Sequence, residues 1–317
     1  MADIMVFVNS LPSAVVQGLI WGIMALGVYI TYRILNFADL SVDGSFVTGG
    51  AVCVMLLSCG WNVWLAMLMA LLAGMAAGFM TGFFHTVMGI PDILSGILTQ
   101  LSLYSINMAI MLERSNVPIS RPAKDLVLNA RDVGNPQRWY IPVLICVAVV
   151  AVVIAIMYWF FGTEVGCSIR ATGCNPNMAR AQGINTNISK MLGLVISNGI
   201  VAFSGALFAQ YSNASDVNAG RGAIVIGLAA VIIGEVVMGK RFNFAYRLAS
   251  VVVGAILYYI VITLVIQLGL PTLYLKLLSA VVVAIFLAVP YIKGKYFTRG
   301  VPDKVLKSIR GGGNDNA

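Results

Sequence analysis

An all-α polytopic membrane protein is the fold class this chain predicts, and three observations carry that expectation. Of 317 residues, 60% are hydrophobic and only 10% are charged, where an ordinary soluble domain has about a quarter of its residues charged. The mean hydropathy is +0.92. Apolar runs recur along the whole chain at the roughly 20-residue length that crosses a bilayer, giving about eight to nine transmembrane helices. The net charge of +8 lies in the connecting loops and the C-terminal tail, as the positive-inside rule requires, so it does not indicate nucleic acid. The five cysteines include no C-x-x-C pair, which leaves neither a disulfide framework nor a metal site to expect. The N-terminus has no basic segment ahead of its first apolar run, so no cleaved signal peptide is expected.

The first span covers about Leu11 to Ile34, and Arg33 is the first cationic side chain. Its basic flank is C-terminal, which predicts an N-terminus outside the cell. Gly18 and Gly22 form a G-x-x-x-G face for close helix packing. Next, NFADLSVDGSFVTGGAV from Asn36 places Asp39, Asp43, Gly44, Gly49 and Gly50 at the head of a second apolar run. Such backbone is tolerated at membrane depth only against protein or a water-filled cavity. Two readings stand: a segment, spanning or re-entrant, beside a translocation path, or two carboxylates capping the second helix at the inner interface.

The third span, about Val63 to Phe84, carries Gly74, Gly78 and Gly82 four residues apart, a bare face for a neighbouring helix. His85 follows at the membrane edge and reads as a solvated interfacial residue, because a single histidine supplies no His-based metal site. The fourth span, about Asp92 to Leu112, is unusually polar, with Ser95, Thr99, Gln100, Ser102, Tyr104, Ser105 and Asn107. Some of these face helices or a passage. The connection from Glu113 to Trp139 has five cationic and three acidic residues and alternates to the outside. The tail, residues 293–317 with Lys293, Lys295, Arg299, Lys304, Lys307 and Arg310, fixes the C-terminus as cytoplasmic.

Between the fifth span (about Tyr140 to Phe161) and the sixth (about Met191 to Tyr211) lies the polar island Gly162 to Lys190. Asn175 is a cap residue, Pro176 suits the first helical position, Met178 to Gln182 are helix formers, and Gly183 suits a left-handed stop. The expected helix has about two turns, too short to stand alone in water. It is therefore held either by a cytoplasmic partner or by lipid headgroups.

SNASDVNAGRG then turns outside, with Asp216 and Arg221 as a gate pair or as solvated turn residues. In the seventh span, about Ala223 to Met238, Glu235 is an intramembrane ionisable group, and Lys240 and Arg241 are its expected structural partners. Gly234, Gly239 and Lys240 imitate a phosphate-binding loop, but Arg241 stands where Ser or Thr would hold magnesium, and the run ends a helix instead of opening one. An eighth span (about Leu248 to Gln267) and a ninth (about Thr272 to Tyr291) complete the chain, which shows no internal repeat.

Four stretches together resemble the integral-membrane permease subunits of ABC importers, in the branch of the branched-chain amino acid permeases, with a subgroup usually paired with a tryptophan-type binding lipoprotein. They are LNFADLSVDGSF at Leu35, SGILTQLSLYSINMAIM at Ser95, SIRATGCNPNMARAQGIN at Ser168 and FSGALFAQYSNASDVNAGRGAIVIGLAAVIIGE at Phe203. The resemblance implies a bacterial cell-membrane subunit with no catalytic or nucleotide site of its own. ATP and magnesium would be bound by a partner ATPase, and an extracytoplasmic substrate-binding protein and a second permease chain, identical to the first, would complete the assembly in the lipid bilayer. It makes the island's short helix a coupling helix, with Arg170, Ala171, Thr172, Gly173, Asn175, Pro176, Met178, Ala179, Arg180, Ala181, Gln182 and Gly183 at or beside the ATPase. Cys174 departs from the polar residue expected there. The expected substrate is an amino acid, aromatic by preference. Asn36, Asp39, Asp43, Gln100, Tyr104 and Asn107 are the candidate lining of the translocation path. An ion-coupled secondary transporter is the alternative, but it would have only Glu235 and Lys276 for its coupling ion and no use for the island. A membrane enzyme would need a constellation such as H-E-x-x-H or G-x-S-x-G, and neither occurs.

Overall fold

The computed structural model describes residues 2–119, 126–130, 138–239 and 243–267, with isolated positions between 277 and 288. The expected ninth span, the basic tail, Lys240, Arg241 and part of the Glu113 to Trp139 connection lie outside the described residues. The elements run α1 (Ala2–Tyr29), a π turn (Ile30–Ile34), α2 (Val42–Ser58), α3 (Val63–Thr86), α4 (Asp92–Ile110), β1 (Asn116–Pro118), α5 (Tyr140–Gly162), α6 (Glu164–Cys174), α7 (Pro176–Ala181), α8 (Thr186–Ser212), β2 (Ala214–Asp216), α9 (Ala223–Met238) and α10 (Phe244–Gln267).

Among the described residues six helices are long and apolar enough to cross a membrane, those in α1, α3, α4, α5, α8 and α10, while α2 and α9 are shorter. The all-α polytopic class therefore holds, and the seventh span has the bounds expected, Ala223–Met238. Neither α2 nor α9 is a full-length span. After the π turn the chain runs through Leu35 to Ser41 without helical structure before α2 begins, and a run of turns from Val217 to Gly222 leads into α9.

The long helix α8 is the centre of the bundle. It accepts α3 along the glycine face foreseen from the sequence: a methyl group added at Gly74, Gly78 or Gly82 would strike Asn198, Leu194 or Met191 of α8. It accepts α2 the same way, Gly49 lying against Ala202 and Gly205 against Phe46. Gly18 and Gly22 of α1 lie against Ile256 and Val252 of α10. In a bilayer, close van der Waals contact of this kind replaces the hydrophobic drive that assembles helices in water. The buried apolar core runs through the middle of α1, with Ile20, Ile23, Met24 and Leu26 unexposed. Outward faces of α3, α4 and α5 show large apolar side chains such as Trp64, Leu101 and Trp159, as lipid-facing helices do.

One end of the bundle carries α6 and α7. At the other, β1 pairs antiparallel with β2 in the register Asn116↔Asp216 and Pro118↔Ala214. Two connections far apart in sequence are thereby joined into one surface, and Ile119 N–H donating to the Asn213 carbonyl at 2.9 Å extends the pairing.

Candidate functional site

The island closes mostly on itself. Asn175 Oδ1 accepts from the N–H groups of Asn177 and Met178 at 3.1 and 3.2 Å, and Pro176 opens α7. At the other end Gly183 sits at φ +83. Its N–H donates to the Arg180 carbonyl, and Ile184 N–H donates to the Ala179 carbonyl, the bond pair of a Schellman stop. Arg180 Nε reaches Thr186 Oγ1 at 2.8 Å, tying α7 to the first turn of α8. Ala179 faces inward at 4% exposure while Met178 stands out at 60%. Ala171, Asn175, Pro176, Arg180, Ala181, Gln182 and Gly183 are also exposed.

The sequence reading missed α6. Thr163 caps it, its hydroxyl accepting from Gly166 N–H at 3.3 Å, and this Thr163–Glu164 start was the signal available. Gly166, Ile169 and Thr172 form its buried face. Gly173 lies against the Ile34 carbonyl, so α6 is seated on the π turn that ends the first span. Arg170 lies 5.5 Å from the ring centre of Phe244, which in turn meets Phe161 and Tyr29. The island is thus in contact, directly or through Phe244, with α1, α5, α8 and α10.

Glu235 meets a cation distant in sequence, while its expected partners Lys240 and Arg241 lie outside the described residues. Its carboxylate takes Arg33 in a two-pronged ion pair, with Arg33 Nε at 2.6 Å from Oε1 and Nη2 on Oε2. The first cation in the chain and the acid 202 residues later clasp α9 to the π turn. His85 is likewise not solvated, since its side chain is only 15% exposed. Lys190 Nζ, with donors only, approaches Nε2 at 2.9 Å, and the Ile90 carbonyl lies 2.9 Å from Nδ1. These contacts tie α3 to α8 and to the loop before α4, with Phe37 edge-on at 5.1 Å.

The two acids of the second run separate. Asp39 is 2% exposed. It accepts from Ser41 N–H at 2.9 Å, Ser41 Oγ at 2.5 Å and Asn198 Nδ2 at 2.8 Å. Asn198 Oδ1 accepts in turn from Ser45 Oγ at 2.6 Å. Asn198 lies near the middle of α8, so this is a sealed polar knot deep in the bundle, and neither of the two clefts described here includes Asp39. The inner-interface cap reading fails for both acids. Asp43 caps a different helix: its oxygens accept from Gly222 N–H and Ile224 N–H, each at 2.9 Å, at the start of α9. Gly222 occupies the N-cap position at φ +86 with no side chain to offer, and Asp43 supplies the missing acceptor from 179 residues away.

Four predicted path residues meet in one cleft of about 370 Å³: Asp43, Gln100, Tyr104 and Asn107, with Gly44, Val47, Leu101, Val217, Gly220 and Arg221. A second cleft of about 350 Å³ holds the fifth, exposed Asn36, with Tyr32, Phe37, Ala38, Pro91, Asp92 and Ile93. Asp216 and Arg221 form no ion pair among the described residues. Asp216 closes its own turn onto Asn218 N–H at 2.8 Å, and Arg221 lies 5.9 Å from the Tyr104 ring centre. Arg221 in the first cleft was the residue that spacing alone did not assign to the path. The imitation phosphate loop begins inside a helix, not after a strand: Gly234 is packed against the Ser250 carbonyl in the α9–α10 contact.

Comparison with known proteins agrees with this architecture. The tyrosine transport system permease protein of Clostridioides difficile (strain R20291) is 39% identical over 280 residues, covering 88% of this chain and 91% of that protein. An uncharacterized protein of Rickettsia prowazekii, RP368, is 31% identical over 88% of this chain and 97% of its own length. The galactofuranose transporter permease protein YtfT of Escherichia coli is 27% identical over 79% of this chain and 71% of that protein. Residues 10–289 match the family described as branched-chain amino acid transport system, permease component. This multi-pass membrane chain belongs to that family of ABC transporter permeases.

Proposed function

We infer that two copies of this chain form the translocation path of a bacterial ABC importer for an amino acid, aromatic by preference. An extracytoplasmic binding protein delivers the solute, and a separate ATPase pair, which binds ATP and magnesium, drives the cycle. The chain contributes no catalytic site. The observation that carries the reading is the island: α7 is closed at both ends by its own caps, exposes Met178 at 60%, and sits on α6, which bears on the π turn through Gly173. An element so built transmits a rigid push, because every adjustable bond in it is already made. Arg170 to Gly173 and Asn175 to Gly183 are the ATPase-contacting stretch. The amino-acid preference draws on the 39%-identical tyrosine permease. In this arrangement the N-terminus and the β1–β2 surface face outward toward the binding protein, and α7 and the C-terminal tail face the cytoplasm.

Co-purification with the ATPase tests it. Met178→Asp is the clean probe, since Met178 is exposed, whereas Ala179 faces inward and its replacement disturbs α7 itself. The native chain is expected to retain the ATPase and Met178→Asp to lose it. Retention by neither form, with uptake following the proton gradient, selects the ion-coupled transporter instead. Orientation has its own test in the exposed cysteines Cys59, beyond α2, and Cys174, at the island. In single-cysteine chains a membrane-impermeant maleimide is expected to label Cys59 on intact cells and Cys174 only after lysis. The reverse pattern places α7 outside, beyond reach of any cytoplasmic ATPase.

A further inference from the structure

The first cleft carries two opposite charges that do not use each other. Asp43 and Arg221 both line it, yet they form no ion pair with each other among the described residues. Each Asp43 oxygen takes one backbone N–H from the start of α9 and keeps further acceptor capacity. The Arg221 guanidinium lies over the Tyr104 ring, so its in-plane N–H fork is free of that contact. A second observation points to a missing donor. Asn107 is 1% exposed; its Nδ2 donates to the Gly44 carbonyl at 3.3 Å, and its Oδ1 has no hydrogen-bond partner among the described residues. A buried acceptor left unpaired is uncommon and costly, and a ligand that brings the donor accounts for it. Gln100, Tyr104 and Asn107 share one face of α4 by their spacing.

We propose that this cleft is a subsite for the zwitterionic head of an α-amino acid, so that the permease selects its solute independently of any binding protein. The ammonium, with three donors, goes to Asp43, Asn107 Oδ1 and Gln100, and the carboxylate takes the Arg221 fork. Val47, Leu101, Tyr104 and Val217 leave an apolar and aromatic wall for the side chain. At about 370 Å³ the space is at the small end for a small-molecule site. A sugar satisfies neither charge. An amine alone leaves Arg221 unanswered, and an acid alone leaves Asp43 and Asn107 so, which is how a polar site rejects a near-match. The proposal rests on the importer reading for its use, although binding itself is measured without an ATPase.

The test is equilibrium binding of radiolabelled L-tyrosine to the full chain in nanodiscs, with unlabelled L-leucine, tyramine and 3-(4-hydroxyphenyl)propionate as competitors. Saturable binding is expected, with both truncated analogues at least tenfold weaker than L-tyrosine, and L-leucine competing through the shared head. Arg221→Gln is expected to weaken L-tyrosine tenfold and leave tyramine unchanged, a split that a folding defect cannot produce, while Arg221→Lys keeps part of the affinity. No saturable binding above empty nanodiscs, equal competition by both analogues, or an Arg221→Gln variant indistinguishable from the native chain overturns the subsite. ATPase retention and binding-protein-dependent uptake are read separately. If both persist while cleft binding fails, only the subsite falls; if the ATPase never associates, the importer reading falls whatever the cleft binds.

Discussion

Two polar regions interrupt this apolar chain, and they are held in opposite ways. The island is secured at its α7 core by bonds between near neighbours: Asn175 to Asn177 and Met178, Gly183 to Arg180, Ile184 to Ala179. The interior region is secured by side chains that reach 153 to 181 residues along the chain, Asn198 to Ser45 and Asp39, and Ile224 to Asp43. The difference teaches where rigidity and where tolerance belong. Water at the bundle end satisfies whatever the island leaves unmade, but at membrane depth an unpaired polar group has no substitute partner. The interior pairs therefore carry the stability, and the island's surface is free to serve contact with another protein.

Substitutions can break or sharpen that contrast. Asn198→Ala should have the largest effect, about 2–3 kcal/mol, because it removes a donor from a buried carboxylate. An ordinary interhelical bond in a membrane is worth only about 0.6 kcal/mol. Thermal unfolding in detergent measures it, and a loss near the lower figure would make the Asp39 knot an ordinary contact. Asp43→Ala comes next, at about 1–2 kcal/mol for an uncapped helix. Asp43→Asn should recover about half of that, since one amide oxygen can serve only one of the two N–H positions. Full recovery would mean that charge is irrelevant to the start of α9. Gly183→Ala follows at about 1 kcal/mol for an L side chain held at positive φ, and the chain should stay folded with slackened coupling, seen as ATP hydrolysis without uptake. Met178→Asp is expected to change unfolding by less than about 0.5 kcal/mol, as for other surface sites. A larger drop would show that Met178 is part of the fold and not a contact surface.

Legibility in the sequence followed the same division. The cap, first-turn proline and stop of α7 were read in advance at Asn175, Pro176 and Gly183, and the glycine faces of α1 and α3 met the expected close neighbours. Gln100, Tyr104 and Asn107 were among the path candidates, although spacing alone did not assign which polar side chains of the fourth span face a passage. Asp39 was expected beside them, and it is sealed behind α2 against Asn198. Glu235 was matched to the nearest cations in sequence, Lys240 and Arg241, which lie outside the described residues, and the geometry adds Arg33. His85 was taken for a solvated residue because its partners, Lys190 of α8 and the Ile90 carbonyl of the loop before α4, are brought to it only by the packing.

What the sequence by itself determined is the membrane class, the approximate succession of spans, the closed α7 and the helix faces able to approach closely. These depend on composition and on bonds or spacings of three to five residues, which neighbouring side chains specify. Only the tertiary structure decided that α2 and α9 start after broken stretches of chain, that Asp43 caps α9, that Arg33 holds Glu235, and that β1 joins β2. Each of those choices selects one partner among several chemically equivalent candidates. Such a selection is made by the close packing of α8 against α2 and α3, which fixes which distant groups lie within hydrogen-bonding reach.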